Sequence, residues 1–160
     1  LLARVLDGEG WTTTFVDAEF GDPLEQAGGG AASLFPFLEV DPVDARLLPQ
    51  IERDQIAIMG RRRAAAGDAA GEASLVHVAR HSRPGSIVLS NDPHAVRLGR
   101  RHNVSVRGTL YVLHRAFSIG LLSSEEAWMQ YRSLQDQERR PPRLIRAQLE
   151  RYLETGTRPG

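Results

Sequence analysis

Two acidic side chains, Glu72 and Asp92, stand where a carboxylate can do more than solvate a surface. Asp92 follows the apolar run Ile87-Val88-Leu89 and precedes Pro93. In open α/β sheets, ligands bind outside the carboxyl ends of parallel strands, so an acid here faces the usual functional edge. Asp before Pro is also a preferred helix cap followed by a preferred first residue. The two roles are compatible. Glu72, read on a helix, shares a face with Leu75, Val76 and Ala79 at spacings of three, four and seven. It is either a first-turn acid favoured by the helix dipole or a carboxylate at the rim of the core with a partner. Asp22 lies with Asp17 and Glu19 in VDAEFGDPL, a surface turn or a further ligand. Carboxylates gathered at one sheet edge repel each other unless a cation joins them. Mg²⁺ and Mn²⁺ are the hard, oxygen-seeking ions for that role. Such an ion activates water and offsets charge in phosphodiester cleavage.

Other chemistries find little support. The chain has no Cys, which removes disulfides, thiolate metal sites and a Cys nucleophile. His77 and His81 are one helical turn apart and could present two imidazoles on one face, but no third ligand follows at a zinc-site spacing. There is no HExxH, no nucleophile elbow, no phosphate loop and no GxGxxG. The formal net charge is zero, so global electrostatics points to neither nucleic acid nor membrane. All twenty basic residues are Arg, first of all a composition bias. Arg97, Arg100 and Arg101 follow Asp92 on one helix; they are phosphate contacts or an ordinary solvated face. Arg61, Arg62 and Arg63 form a denser run of the same two readings.

Short apolar runs alternating with helical patterns position these residues and predict an α/β fold with a mainly parallel sheet. A helix is expected at Leu1–Val5, stopped by Gly8 and Gly10. Strands are expected in WTTTFVD and FPFLEVDP. A helical pattern from Val43 to about Ala66 is interrupted at Pro49 and Gly60, and a second helix spans Gly71 to about His81. The consecutive apolar residues of SIVLS, and then NVSV, suggest strands buried on both faces. A helix from Pro93 to His102 separates them. Thr109 is the expected cap of the helix that ends at Gly120. Ser123 and Glu126 form a capping box, and Pro141-Pro142 should open the last helix. One domain, 1–153, with a short tail, 154–160, fits the length. No apolar run approaches a membrane span. The absence of Cys suits a cytoplasmic protein.

The run GEASLVHVARHSRPGSIVLSNDPHAVRLGRRHNVSVRGTLYVLHRAFSIGLLS, Gly71 to Ser123, resembles the C-terminal half of PIN-domain proteins. It is most similar to the PIN-like branch of nucleic-acid-binding proteins related to VapC-type toxins. The marks are Gly71-Glu72-Ala73, Asn91-Asp92, Gly108-Thr109-Leu110 and Gly120-Leu121, in that order. The resemblance implies a three-layer α/β/α sandwich acting as an Mg²⁺- or Mn²⁺-dependent ribonuclease. It assigns Glu72, Asp92 and, upstream, Asp22 as catalytic metal ligands, with Thr109 at the sheet edge nearby. It implies RNA as substrate, with an antitoxin protein and a second copy of the chain as further partners; EEAWMQYRSL offers an apolar face for such a dimer or for the core. Two departures stand out. The family's first strand, which ends in a ligand Asp, is not seen before Leu1. Asn91 occupies a place where this branch often has a second Asp. The alternative expectation is therefore a PIN-like module that has lost catalysis and binds RNA or protein. An unrelated Rossmann-like enzyme is disfavoured by the missing Gly-rich loop.

Overall fold

The computed structural model describes residues 2–18, 35–64, 70–136 and 143–157. The opening residues form a single helical turn, α1 (Leu2–Val5), released by Asp7 and Gly8 at positive φ. Strand β1 (Gly10–Thr13) follows, and residues 14–18 are already helical. The expected strand is therefore cut short after Thr13. Strand β2 (Leu38–Asp41) pairs with β1 in parallel, Gly10 opposite Leu38 and Thr13 opposite Asp41.

A 3-10 turn (Ala45–Leu47) leads into α2 (Leu48–Met59). Pro49 does not break this helix. It sits in the first turn, where a missing N–H costs nothing. Gly60 does end it, at φ 78°, and the short α3 (Arg61–Ala64) follows. Helix α4 (Ala70–His81) comes next and is the most deeply set element, with Ala73, Ser74, Val76, His77, Val78 and Ala79 all buried. Strand β3 (Ile87–Leu89), helix α5 (Pro93–His102) and strand β4 (Ser105–Arg107) form a right-sized β–α–β unit, with Ile87 opposite Ser105. Three helices complete the chain: α6 (Thr109–Ser118), α7 (Ser124–Asp136) and α8 (Arg146–Thr155).

The protein is thus mixed α/β, and its described strands make two separate parallel pairs, β1–β2 and β3–β4. The expectation of strands buried on both faces fails for a simple reason. Each described strand has one strand neighbour, so in β3 only Val88 is buried while Ile87 is 38% exposed. Strand β4 alternates instead, with Val106 inward and Ser105 and Arg107 outward.

Two apolar cores hold the elements. In one, Leu47, Ile51, Ala73, Val76 and Leu98 join α2, α4 and α5. In the other, Leu110, Leu113, Ala127, Tyr131, Leu149, Tyr152 and Leu153 join α6, α7 and α8. The expected capping box is present: Ser123 N–H donates to Glu126 Oε2 at 2.8 Å and Glu126 N–H donates to Ser123 Oγ at 3.2 Å. Helix α8 begins later than expected, at Arg146. The buried Tyr131 hydroxyl accepts the Leu144 amide at 2.6 Å and holds that residue outside the helix. No described helix is long and apolar enough to cross a membrane.

Candidate functional site

The carboxyl ends of the strands collect polar side chains. At the end of β1, Thr13 Oγ1 lies 2.6 Å from Ser74 Oγ, and Ser74 donates to the Gly71 carbonyl at 2.8 Å. The first turn of α4, which carries Glu72, is thereby fixed at that edge. The turn at Ser82–Gly85 then sends the chain back into β3, which packs against α4. Asp92 stands at the carboxyl end of β3, and Glu72 in the first turn of α4. Glu72 is half-buried and has no hydrogen bond or ion pair among the described residues.

Asp92 does what its place before Pro93 suggests. Its Oδ1 accepts the His94 amide at 2.5 Å and caps α5. Its own amide donates to Ser90 Oγ at 3.1 Å. Oδ2 is left without a partner among the described residues. Asn91 is committed elsewhere. Its Oδ1 accepts the Thr109 amide at 2.9 Å and its Nδ2 donates to Thr109 Oγ1 at 2.6 Å. Thr109 is therefore the first residue of α6 and not its cap; the capping group comes from the neighbouring strand end. Gly108 is required by the same contact, because a Cβ there would lie 2.3 Å from Asn91 Oδ1. Asp22 lies outside the described residues.

An open cleft of about 1000 Å³ begins at Ser90 and Asn91 and runs between α5 and the start of α6. Arg97, Arg100 and Arg107 line it with Tyr111, Val96 and Tyr152, and among the described residues no carboxylate does. Arg97 reaches His94 Nδ1 at 2.5 Å, while Arg100 and Arg107 make no ion pair among the described residues. Of the three arginines expected to act together on α5, Arg97 and Arg100 share the cleft. Arg101 does not. One residue further is a rotation of about 100° on a helix, and its guanidinium meets Asp54 Oδ1 at 3.0 Å instead. Arg107 takes its place, a residue that strand alternation marks as outward but that nothing in the local sequence ties to α5. The arginine run Arg61–Arg63 lies exposed on α3 and lines none of the described pockets.

Do these residues suit a hard divalent cation? Mg²⁺ typically keeps several waters and takes one or two protein carboxylates. Glu72 and the free oxygen of Asp92 are donors of that kind, and Asp92 adjoins the arginine-lined cleft through Asn91 and Pro93. Asn91 adds nothing, because both its polar atoms are engaged.

A second cluster was not foreseen. Asp54, His77 and His102, from α2, α4 and α5, bring their donor atoms within 4.8 Å of one another, a set of a kind that could hold a metal ion. Asp54 Oδ2 accepts from His77 Nε2 at 2.9 Å and from His102 Nε2 at 2.6 Å. Both rings therefore carry their proton on Nε2. The outer nitrogens confirm the arrangement: His102 Nδ1 accepts from Arg80 at 2.8 Å, and His77 Nδ1 is buried without a partner. A metal-bound imidazole donates its outer N–H to an acceptor, and neither ring has one here. Protons rather than an ion join this cluster in the described arrangement. Burial pushes the His77 ring below its ordinary range, against the pull of Asp54. Burial would raise Asp54, yet the hydrogen bonds from His77 and His102 and the charge of Arg101 outweigh it and hold the carboxyl low. Spacing gave no sign of this cluster, since its members are 23 and 25 residues apart. One signal was present: Asp54 falls on the apolar stripe of α2, three residues after Ile51 and four before Ile58. The expected pairing of His77 with His81 is a ring stack at 6.1 Å and not a shared ligand position.

Comparison with protein families, curated proteins and solved structures finds no match for this chain.

Proposed function

We propose that the chain is a PIN-like, metal-dependent RNA endonuclease built as a three-layer α/β/α sandwich. RNA lies in the arginine cleft and is cut at the adjoining strand edge. The observation that supports this reading is a cleft lined by Arg97, Arg100 and Arg107, with no carboxylate among its described lining residues, beside the Asp92 carboxylate, whose Oδ2 has no partner among the described residues. In a chain of zero net charge, unpaired guanidinium groups gathered in one cleft favour a polyanion there and not over the whole surface. Tyr111 in the same lining gives a base a ring to stack on. Mg²⁺ or Mn²⁺ held by Glu72 and Asp92, with Asp22 as a third acid, would supply activated water and charge neutralisation. The chain's own residues do the rest. Arg100 and Arg107 hold the phosphates, and Asp92, fixed by its cap bond, keeps its free oxygen at the edge.

A second reading, an RNA-binding module without cleavage, is favoured by Asn91, whose side chain is spent on Thr109 where a further acid would otherwise stand. Cleavage of a labelled single-stranded RNA with Mn²⁺ separates the two. The nuclease cuts, and Asp92→Ala reduces cutting by about a hundredfold or more, the scale of losing a metal-orienting group. Full cutting by Asp92→Ala removes Asp92 from the site. Binding without any cutting by wild type, weakened in Arg100→Gln/Arg107→Gln, establishes the second reading.

A further inference from the structure

The β3–β4 unit has a second pocket at its other end, where the two strands begin. It encloses about 430 Å³ and is lined by Arg80, Ser86, His102, Asn103 and Ser105 around the turn at Pro84 and Gly85. Among the described residues no carboxylate lines it. Arg80 is held by a single hydrogen bond to His102 Nδ1, at 2.8 Å, and pairs with no acid among the described residues. A guanidinium resting on a neutral imidazole has most of its donors unused. The Ser86 hydroxyl is buried and has no hydrogen-bond partner among the described residues. Buried hydroxyls are ordinarily satisfied, so this one also lacks an acceptor.

We propose that this pocket binds a small tetrahedral oxyanion of the phosphate class. The guanidinium of Arg80 supplies the charge and the forked donor geometry. Ser86, Ser105 and Asn103 supply neutral donors from other sides of the pocket. Donors spread around a pocket suit the four oxygens of a tetrahedral anion better than the two coplanar oxygens of a carboxylate. The nearest buried negative charge, Asp54, does not oppose the anion, because Arg101 and the two Nε2–H groups already surround it. His102 links the two: its Nε2 stays on Asp54 while its Nδ1 faces Arg80. This site is separate from the arginine cleft and does not depend on the nuclease reading.

The test is a titration of the whole chain with inorganic phosphate, followed by NMR of the imidazole nitrogens and backbone amides. Saturable shifts of the His102 ring together with the Ser86 and Ser105 amides are expected. Arg80→Gln, an exposed position whose change leaves the core intact, should bind about tenfold more weakly, the scale of one charge-assisted contact. Ser86→Ala removes only an unpartnered hydroxyl and should weaken phosphate without loss of folding. Arg100→Gln/Arg107→Gln should leave these shifts unchanged. The proposal is overturned if phosphate moves only resonances around Arg100 and Arg107, if Arg80→Gln binds as well as wild type, or if the His102 ring does not respond.

Discussion

Asn91 caps α6 from outside the helix, its carbonyl oxygen taking the Thr109 amide and its amide nitrogen reaching the Thr109 hydroxyl. Replacing it with Ala orphans that amide. A loss of about 1 kcal/mol in denaturant unfolding is expected, the usual value of an N-cap. Asn91→Asp behaves differently. A carboxylate still accepts the amide, and the Thr109 hydroxyl can rotate to donate to it, so stability should stay within about 0.5 kcal/mol of wild type. The new charge beside Asp92 should then tighten Mn²⁺ binding, read by the paramagnetic relaxation of water. An unchanged Mn²⁺ affinity would remove this edge as a metal site. The cap role of Asp92 was legible in the sequence because it is local, an acid immediately before a proline. The partner of Asn91 was not, because it lies 18 residues away across a strand pair. Larger separations, 23 and 48 residues, hid the association of Asp54 with His77 and His102.

Helix α5 serves three neighbours with different faces. Arg97 and Arg100 look into the cleft, Arg101 and His102 reach Asp54, and Leu98 enters the core between α2 and α4. Its fourth face is Gly99, which lets the helix settle onto β4. A Cβ at Gly99 would lie 2.3 Å from Val106 Cγ2 and 2.8 Å from the Val104 carbonyl oxygen. Gly99→Ala should therefore destabilise the protein by about 1–3 kcal/mol, as overpacking does, despite the better helix propensity of Ala. The midpoint of urea unfolding checks this. Adding Val106→Ala should recover only part of the loss, since the carbonyl contact remains. The limits of α5 were readable from Asp92-Pro93 at one end and from the strand pattern NVSV that follows His102 at the other. The exposure of β3 and β4 was not. A run of apolar residues reports that a strand is apolar, but how many strands flank it is a property of the assembled sheet.

Across the whole molecule, the Asp54 cluster ties α2, α4 and α5 together, and its chemistry makes folding sensitive to acid. Unfolded His77 takes up a proton near 6.5, whereas the folded ring resists it to lower pH. Between those two values the unfolded chain binds more protons, so stability falls as the pH drops. The contribution of His77 is complete above about 6.5 and is lost on passing through the lower folded value. Asp54 acts in the same direction from its unfolded value of 3.8 downward. Thermal melts from pH 7.5 to 5 should show a falling Tm, and His77→Gln, which cannot titrate, should flatten the decline. An equal decline in both proteins would assign the acid sensitivity to other groups. The central position of α4 has a further consequence. This helix packs on β1 and β3 and also on α2 and α5, so it cannot come loose while its neighbours stay in place. Its amide protons should exchange with deuterated solvent only when the entire protein opens, whereas those of the one-turn α1 exchange by local fraying. The slowest-exchanging amides of α4 would then report the free energy of unfolding directly, without any denaturant.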